Sequence, residues 1–313
     1  MRRYLPFAAL IALAAASCGG DDDGPVDDGT AGGPPAVDPL DVTFETGEWE
    51  VPTGDVFECF YTDVITDKEL AVQGAQSGDA PDGLHHITLY YTDQVQEPGH
   101  HPCSDDEMTA WRQVAAAGGG EADAGYGLPP GLAMHMPSGS QLVVQVHYIN
   151  TTDAPYMRND SVTMDVVDPA DVDEYANMHV TLDSGFEVPA HGEFTSTSLC
   201  TVEKETKVVL LLGHMHEWGK HYKLERLAED GSVAEVLYEE EWLPFYASHP
   251  PAHHFEVAEP LVLAPGTKLR QSCSWQNTEE APLTFPREMC LSFMYYYPDD
   301  GERFALCQPE VAP

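Results

Sequence analysis

In the stretch Lys207-Val208-Val209-Leu210-Leu211-Leu212-Gly213-His214-Met215-His216, an unbroken run of valines and leucines lies between a lysine and a glycine. Its length and its flanking residues read as a buried β-strand rather than a helix. Similar short apolar or alternating segments recur at Leu84–Tyr91, Gln141–Ile149, Tyr222–Leu227, Leu261–Leu263 and Leu291–Tyr297, with Gly, Pro, Asn and Asp clustered between them. Only Asp105–Ala117 has a helical composition. Many short strands separated by turn signals predict an all-β protein built of sandwiches. A folded part of about 270 residues is large for one sandwich and comfortable for two. The expected architecture is therefore two tandem antiparallel, jelly-roll-like β-sandwich domains, residues 40–172 and 173–313, with the boundary near Pro169–Asp173. No convincing internal repeat is visible.

The amino terminus sets the compartment. Arg2 and Arg3 precede an apolar run from Leu5 to Ala16, too short to span a bilayer, and Ala15-Ala16-Ser17 then leads to Cys18. This pattern predicts a bacterial lipoprotein signal over residues 1–18 with lipidation of Cys18. Residues 19–39, rich in Asp, Gly and Pro, would be a flexible acidic tether. The expected location is the cell envelope, with membrane contact only through the lipid. Setting Cys18 aside leaves Cys59, Cys103, Cys200, Cys273, Cys290 and Cys307. An even set in an exported protein implies disulfides, but spacing alone does not choose among the pairings.

The formal net charge of −39 excludes a generic nucleic-acid binder, because no basic patch offsets phosphate repulsion. Most of the acidic residues, such as Asp105-Asp106-Glu107 and Glu239-Glu240-Glu241, read as solvated surface.

Two histidine clusters carry the chemistry. His85 and His86 are adjacent, so on a regular strand they would point to opposite faces. For both to reach one ion the backbone must twist or bulge, with the two rings expected to use different nitrogens. His147 stands in the apolar strand Leu142–Tyr148, where an imidazole has little reason to be unless something uses it. Gln145 lies on the same face and is expected to support a ligand by hydrogen bonding. Three imidazoles without a carboxylate suit copper or zinc. In the second cluster, His214 and His216 are two residues apart and project to one face of a strand. Met289 offers a soft thioether that favours Cu(I), or else simply fills core. The other histidines, including His135 and His253-His254, have no matched companion.

The motifs Leu84-His85-His86, Gln145-Val146-His147-Tyr148, His214-Met215-His216 with Gly219-Lys220, and Glu288-Met289-Cys290 before Met294-Tyr295-Tyr296 resemble, in order and separation, those of the copper type II, ascorbate-dependent monooxygenases. That family includes peptidylglycine α-hydroxylating monooxygenase and dopamine β-monooxygenase. The resemblance implies two copper ions per chain, one in each domain, facing across an interdomain cleft. His85, His86 and His147 would hold the electron-transfer copper. His214, His216 and Met289 would hold the copper at which oxygen reacts. Ascorbate or another one-electron donor would be the co-substrate, and a small-molecule or peptide-like substrate would be hydroxylated with O2. It also implies the disulfides Cys59–Cys103, Cys200–Cys307 and Cys273–Cys290. The chain departs from the peptide-processing enzyme at Leu212, Leu291 and Phe293, which stand where an arginine, an asparagine and a tyrosine would grip a terminal carboxylate. A less anionic substrate follows, with Lys220, Lys223 or Arg226 as substitutes for the lost charge. A copper-storage or sensing lipoprotein without turnover is the alternative reading of the same six ligands.

Overall fold

The computed structural model describes residues 42–78, 83–118, 126–302, 305–307 and 310–311. The expected export signal, Cys18 and the tether lie outside the described residues. Among the described residues no helix is long and apolar enough to cross a membrane.

The all-β expectation holds, with antiparallel sheets in both halves of the chain. In the first half, strands Val42–Glu45, Ser161–Val167, Leu70–Ser77 and Leu132–Met136 lie side by side in that order. A second sheet runs Gly99–Pro102, Gly54–Ile65, Gln141–Asn150, Leu84–Thr92 and Arg112–Gly118. Val72, Met134 and Met164 of the first sheet share one core with Phe60, Leu89 and Val144 of the second. In the second half, Glu174–Leu182, Leu291–Tyr297, Thr206–His214 and Ala252–His254 form one layer. The other layer is Val233–Glu241, Gly219–Leu227, Lys268–Gln276, Glu193–Thr201 and Glu310–Val311. Val208, Leu211 and Met294 meet Tyr222, Leu224 and Leu269 between them.

The halves are tied through the backbone. Glu174, Tyr175 and Ala176 pair in parallel with Leu132, Ala133 and Met134, which joins one layer of each half into a single ten-stranded sheet. This explains the unbroken apolar run with which the second cluster begins. Val208 and Leu211 of the Thr206–His214 strand face the core of the second half. Val209, Leu210 and Leu212 face a cluster that also contains first-half residues. A strand buried on both faces has no polar side to show, so its sequence does not alternate. The Arg112–Asp299 ion pair and a hydrogen bond from the Tyr126 hydroxyl to the Pro250 carbonyl at 3.1 Å add side-chain ties across the halves.

The helical expectation for Asp105–Ala117 is correct only for its first part. The helix spans Asp105–Ala110, opened by a capping box between Ser104 and Glu107. Arg112–Gly118 is a strand beside Leu84–Thr92. The helical composition of Val114 to Ala117 yields to tertiary pairing, because small residues fit the covered flank of that sheet.

Disulfides join Cys59 to Cys103 and Cys273 to Cys290. Cys200 is also disulfide-bonded, and the side chain of Cys307 lies outside the described residues.

Candidate metal centre

The first cluster is built by two neighbouring strands. His147 pairs with Phe57 on one side and with His86 on the other. The register shifts between Leu84 and His86, so the bulge expected from adjacent histidines falls at His85. The extra residue turns both rings to one side. His85, His86 and His147 each offer a nitrogen, and these atoms lie within 4.8 Å of one another. The Nδ1 atoms of His85 and His86 face each other at 3.0 Å.

Asp55 accepts a hydrogen bond from His147 Nε2 at 2.6 Å, which leaves His147 Nδ1 buried without a partner. With Nε2 carrying the proton, the Nδ1 lone pair is free for an ion, and the carboxylate makes it more basic. Gln145, expected in that supporting role, donates instead to Met108 Sδ at 2.7 Å. Although Gln145 and His147 share a face, two residues of rise along the strand bring Gln145 to the Cys59–Cys103 bridge and the helix beside it. Asp55 was missed because it sits on a different strand, and nothing in its local sequence marks it.

In the second cluster, His214 ends its strand opposite Leu291. The ladder ends there, and His216 and Met289 lie just beyond it. Gly213, just before His214, is required there, since a Cβ would meet the Tyr222 ring at 2.6 Å. His216 Nδ1 donates to the Arg287 carbonyl at 2.9 Å, and its Nε2 is buried without a partner. The two clusters therefore present opposite nitrogens: Nδ1 of His147 and Nε2 of His216. Beneath Met289, the carboxylate of Glu288 is wholly buried and accepts from the backbone N–H groups of His216, Trp218 and Met289 and from the Trp275 indole. Burial pushes the Glu288 carboxyl up, against the pull of His216 and these N–H groups.

The two clusters face each other closely. Ring centroids of His85 lie 6.2 Å from His214 and 5.6 Å from His216, and those of His147 and His216 are 6.3 Å apart. Burial holds His85, His86 and His214 well below the ordinary histidine value, and neighbouring imidazoles add to the effect. For His147 burial also lowers the value, with Asp55 pulling the other way. For Asp55 burial raises the value, but the hydrogen bond and charge of His147 outweigh it and keep the carboxyl low. The chemical result is a group of imidazoles in which His85 Nε2, His147 Nδ1 and His216 Nε2 are buried with no protein partner. Such a donor set, together with a nearby thioether residue, fits a soft or borderline metal ion such as copper.

Residues 174–313 match the family model described as the copper type II ascorbate-dependent monooxygenase, C-terminal domain. The chain is similar to the copper type II ascorbate-dependent monooxygenase family. DBH-like monooxygenase protein 1 of Homo sapiens is 28% identical to this chain over 251 residues, covering 69% of it and 39% of the human protein. Those of Mus musculus and Gallus gallus are 27% and 28% identical, again over 69% of this chain. The chain thus spans 39% of the length of each of these relatives. Among solved structures, that of infectious bursal disease virus Gx strain is 10% identical over 88% of this chain and 77% of the other, with a TM-score of 0.22, too low to bear on the fold. The family match covers the half that carries His214, His216 and Met289.

Proposed function

We propose that this protein is a monooxygenase that hydroxylates an activated C–H bond of a small organic or peptide-like substrate, with O2 as oxidant and ascorbate or another one-electron donor as reductant. The carrying observation is that buried imidazole nitrogens of two clusters, including His147 Nδ1 and His216 Nε2, are left without protein partners. His85, His86 and His147 would hold one copper, and His214, His216 and Met289 the other. Copper would supply the electron transfer and oxygen activation of the family reaction.

The chain's own contribution is to orient the imidazoles and fix which ring nitrogen donates. Asp55 does this for His147, and the Arg287 carbonyl does it for His216. The surroundings of the second cluster support an uncharged substrate end. Leu212 and Leu291 are buried in the apolar cluster, and Phe293 lies with its ring centroid 6.2 Å from that of His214. Lys223 is already paired with Glu225 and Glu239, and Arg226 with Glu235, so neither offers a free charge to a substrate carboxylate. Leaving a buried carboxylate unpaired costs several kcal/mol, which disfavours glycine-extended peptides. A lipid on Cys18 would place this chemistry at the bacterial cell envelope.

The test is copper stoichiometry together with reductant-driven oxygen consumption in the wild type and in Met289→Ala. Two coppers per chain, with turnover lost in the variant, is the expected result. Two tightly held coppers without turnover on any C–H substrate would shift the reading to storage or sensing. Absence of stoichiometric copper would overturn the site.

A further inference from the structure

We propose that Glu288 is a positioning residue of the second cluster, the buried carboxylate that ties the backbones of Met289 and His216 together so that both side chains can serve one ion. The inference rests on reading His214, His216 and Met289 as a metal site.

His216 lies beyond the end of its strand, in the turn from Met215 to Trp218, and Met289 precedes the start of the Leu291–Tyr297 strand. The ladder that pairs His214 with Leu291 is the last sheet contact between these two segments, so no strand register fixes the two ligands. Glu288 takes over at that point. Its Oε2 accepts from His216 N at 3.0 Å, from Met289 N at 3.1 Å and from Trp275 Nε1 at 2.8 Å, while Oε1 accepts from Trp218 N at 2.9 Å. One wholly buried carboxylate thereby ties three separate segments together. The next residue, Cys290, is bonded to Cys273, which anchors the far side of Met289 to the strand that also carries Trp275.

Only a carboxylate suits this place. All four partners are N–H donors, so both oxygens must accept and neither position tolerates a donor. A glutamine of the same shape would turn an NH2 against at least one N–H. An aspartate would pull the acceptors back by about one C–C bond, roughly 1.5 Å, beyond reach of part of the set.

The experiment uses the full chain loaded with Cu(I). Copper stoichiometry and affinity are measured against a competing Cu(I) chelator, and X-ray absorption at the copper edge reports sulfur in the coordination shell. The wild type is expected to show a sulfur contribution that Met289→Ala abolishes. Glu288→Gln is expected to lose most of that contribution and to weaken the second copper by about 10–100-fold, the usual effect of removing an outer partner. The first site, read separately in a His214→Ala/His216→Ala background with and without Glu288→Gln, should be unchanged. If the wild type shows no Met289-dependent sulfur, the site reading itself fails. If that signal is present and Glu288→Gln keeps both it and the wild-type affinity, the positioning role is overturned. Should Glu288→Gln not fold, Glu288→Asp decides by the same two readouts. Failure of both variants to fold would make the residue a general structural one and likewise overturn the proposal.

Discussion

Lowering the pH of the metal-free protein from 7.0 to 5.5 should destabilise it by about 4 kcal/mol through His85, His86 and His214 alone. His85 and His214 are buried and His86 is half-buried, and desolvation holds all three neutral, far below the ordinary histidine value of 6.5. The unfolded chain has no such burial, so its histidines take up protons as the pH falls through 6.5 while the folded ones do not. The unfolded state then binds more protons, and stability falls with falling pH. For one such histidine the loss between pH 7.0 and 5.5 is about 1.3 kcal/mol, and three together give about 4 kcal/mol. Against a typical margin of about 5–15 kcal/mol this is a large fraction. The many carboxylates work the other way only weakly, since most stay ionised above pH 5 and added salt screens their repulsion. Urea denaturation of the metal-free protein at fixed salt, at several pH values in this range, measures the slope. Replacing His85 by Gln should remove close to one proton's worth of it. A midpoint that does not move between pH 7.0 and 5.5, at unchanged m-value, would refute the assignment of these imidazoles as buried and neutral.

Asp55→Asn should weaken copper at the first cluster by about 10–100-fold while leaving the second intact, because His147 loses the carboxylate that orients it; competition against a chelator in each single-site background measures this. Gly213→Ala should destabilise by about 1–3 kcal/mol, since its Cβ would enter the Tyr222 ring at 2.6 Å, and a drop in denaturation midpoint at neutral pH checks it. Replacing Cys273 and Cys290 by serine opens a loop of sequence separation 17 and should cost about 3 kcal/mol, with the second copper weakened more than the first.

Much of the candidate site was legible because its residues follow strand periodicity. His214 and His216 at a two-residue spacing, and His147 in a run with no other reason for an imidazole, could be picked out one strand at a time. The bulge at His85 was predictable as well, since two adjacent side chains reach one point only if the pleat is broken. The supporting groups were not legible. Asp55 and Glu288 reach their partners across 92 and 72 residues of chain, and a carboxylate among 53 acidic residues carries no local mark of burial. Gln145 was placed by the same two-residue rule that located His147, but the rule gives the face of a strand and not the neighbour above it. Composition likewise extended the helix through Ala117, where sheet pairing prevailed.

By itself the sequence determined an all-β chain, the two histidine sets and the six cysteines that remain once Cys18 is set aside, because strand patterning, ligand chemistry and disulfide pairing are local or additive properties. Tertiary structure alone decided that the two halves share a ten-stranded sheet through Glu174–Ala176 and Leu132–Met134. It also decided that His147 leaves Nδ1 free and His216 leaves Nε2 free, and that the clusters lie within 5.6–6.3 Å of each other by ring centroid. The physical reason is that these features depend on which backbone edge and which carboxylate or carbonyl arrive from distant parts of the chain. No window of sequence contains that information.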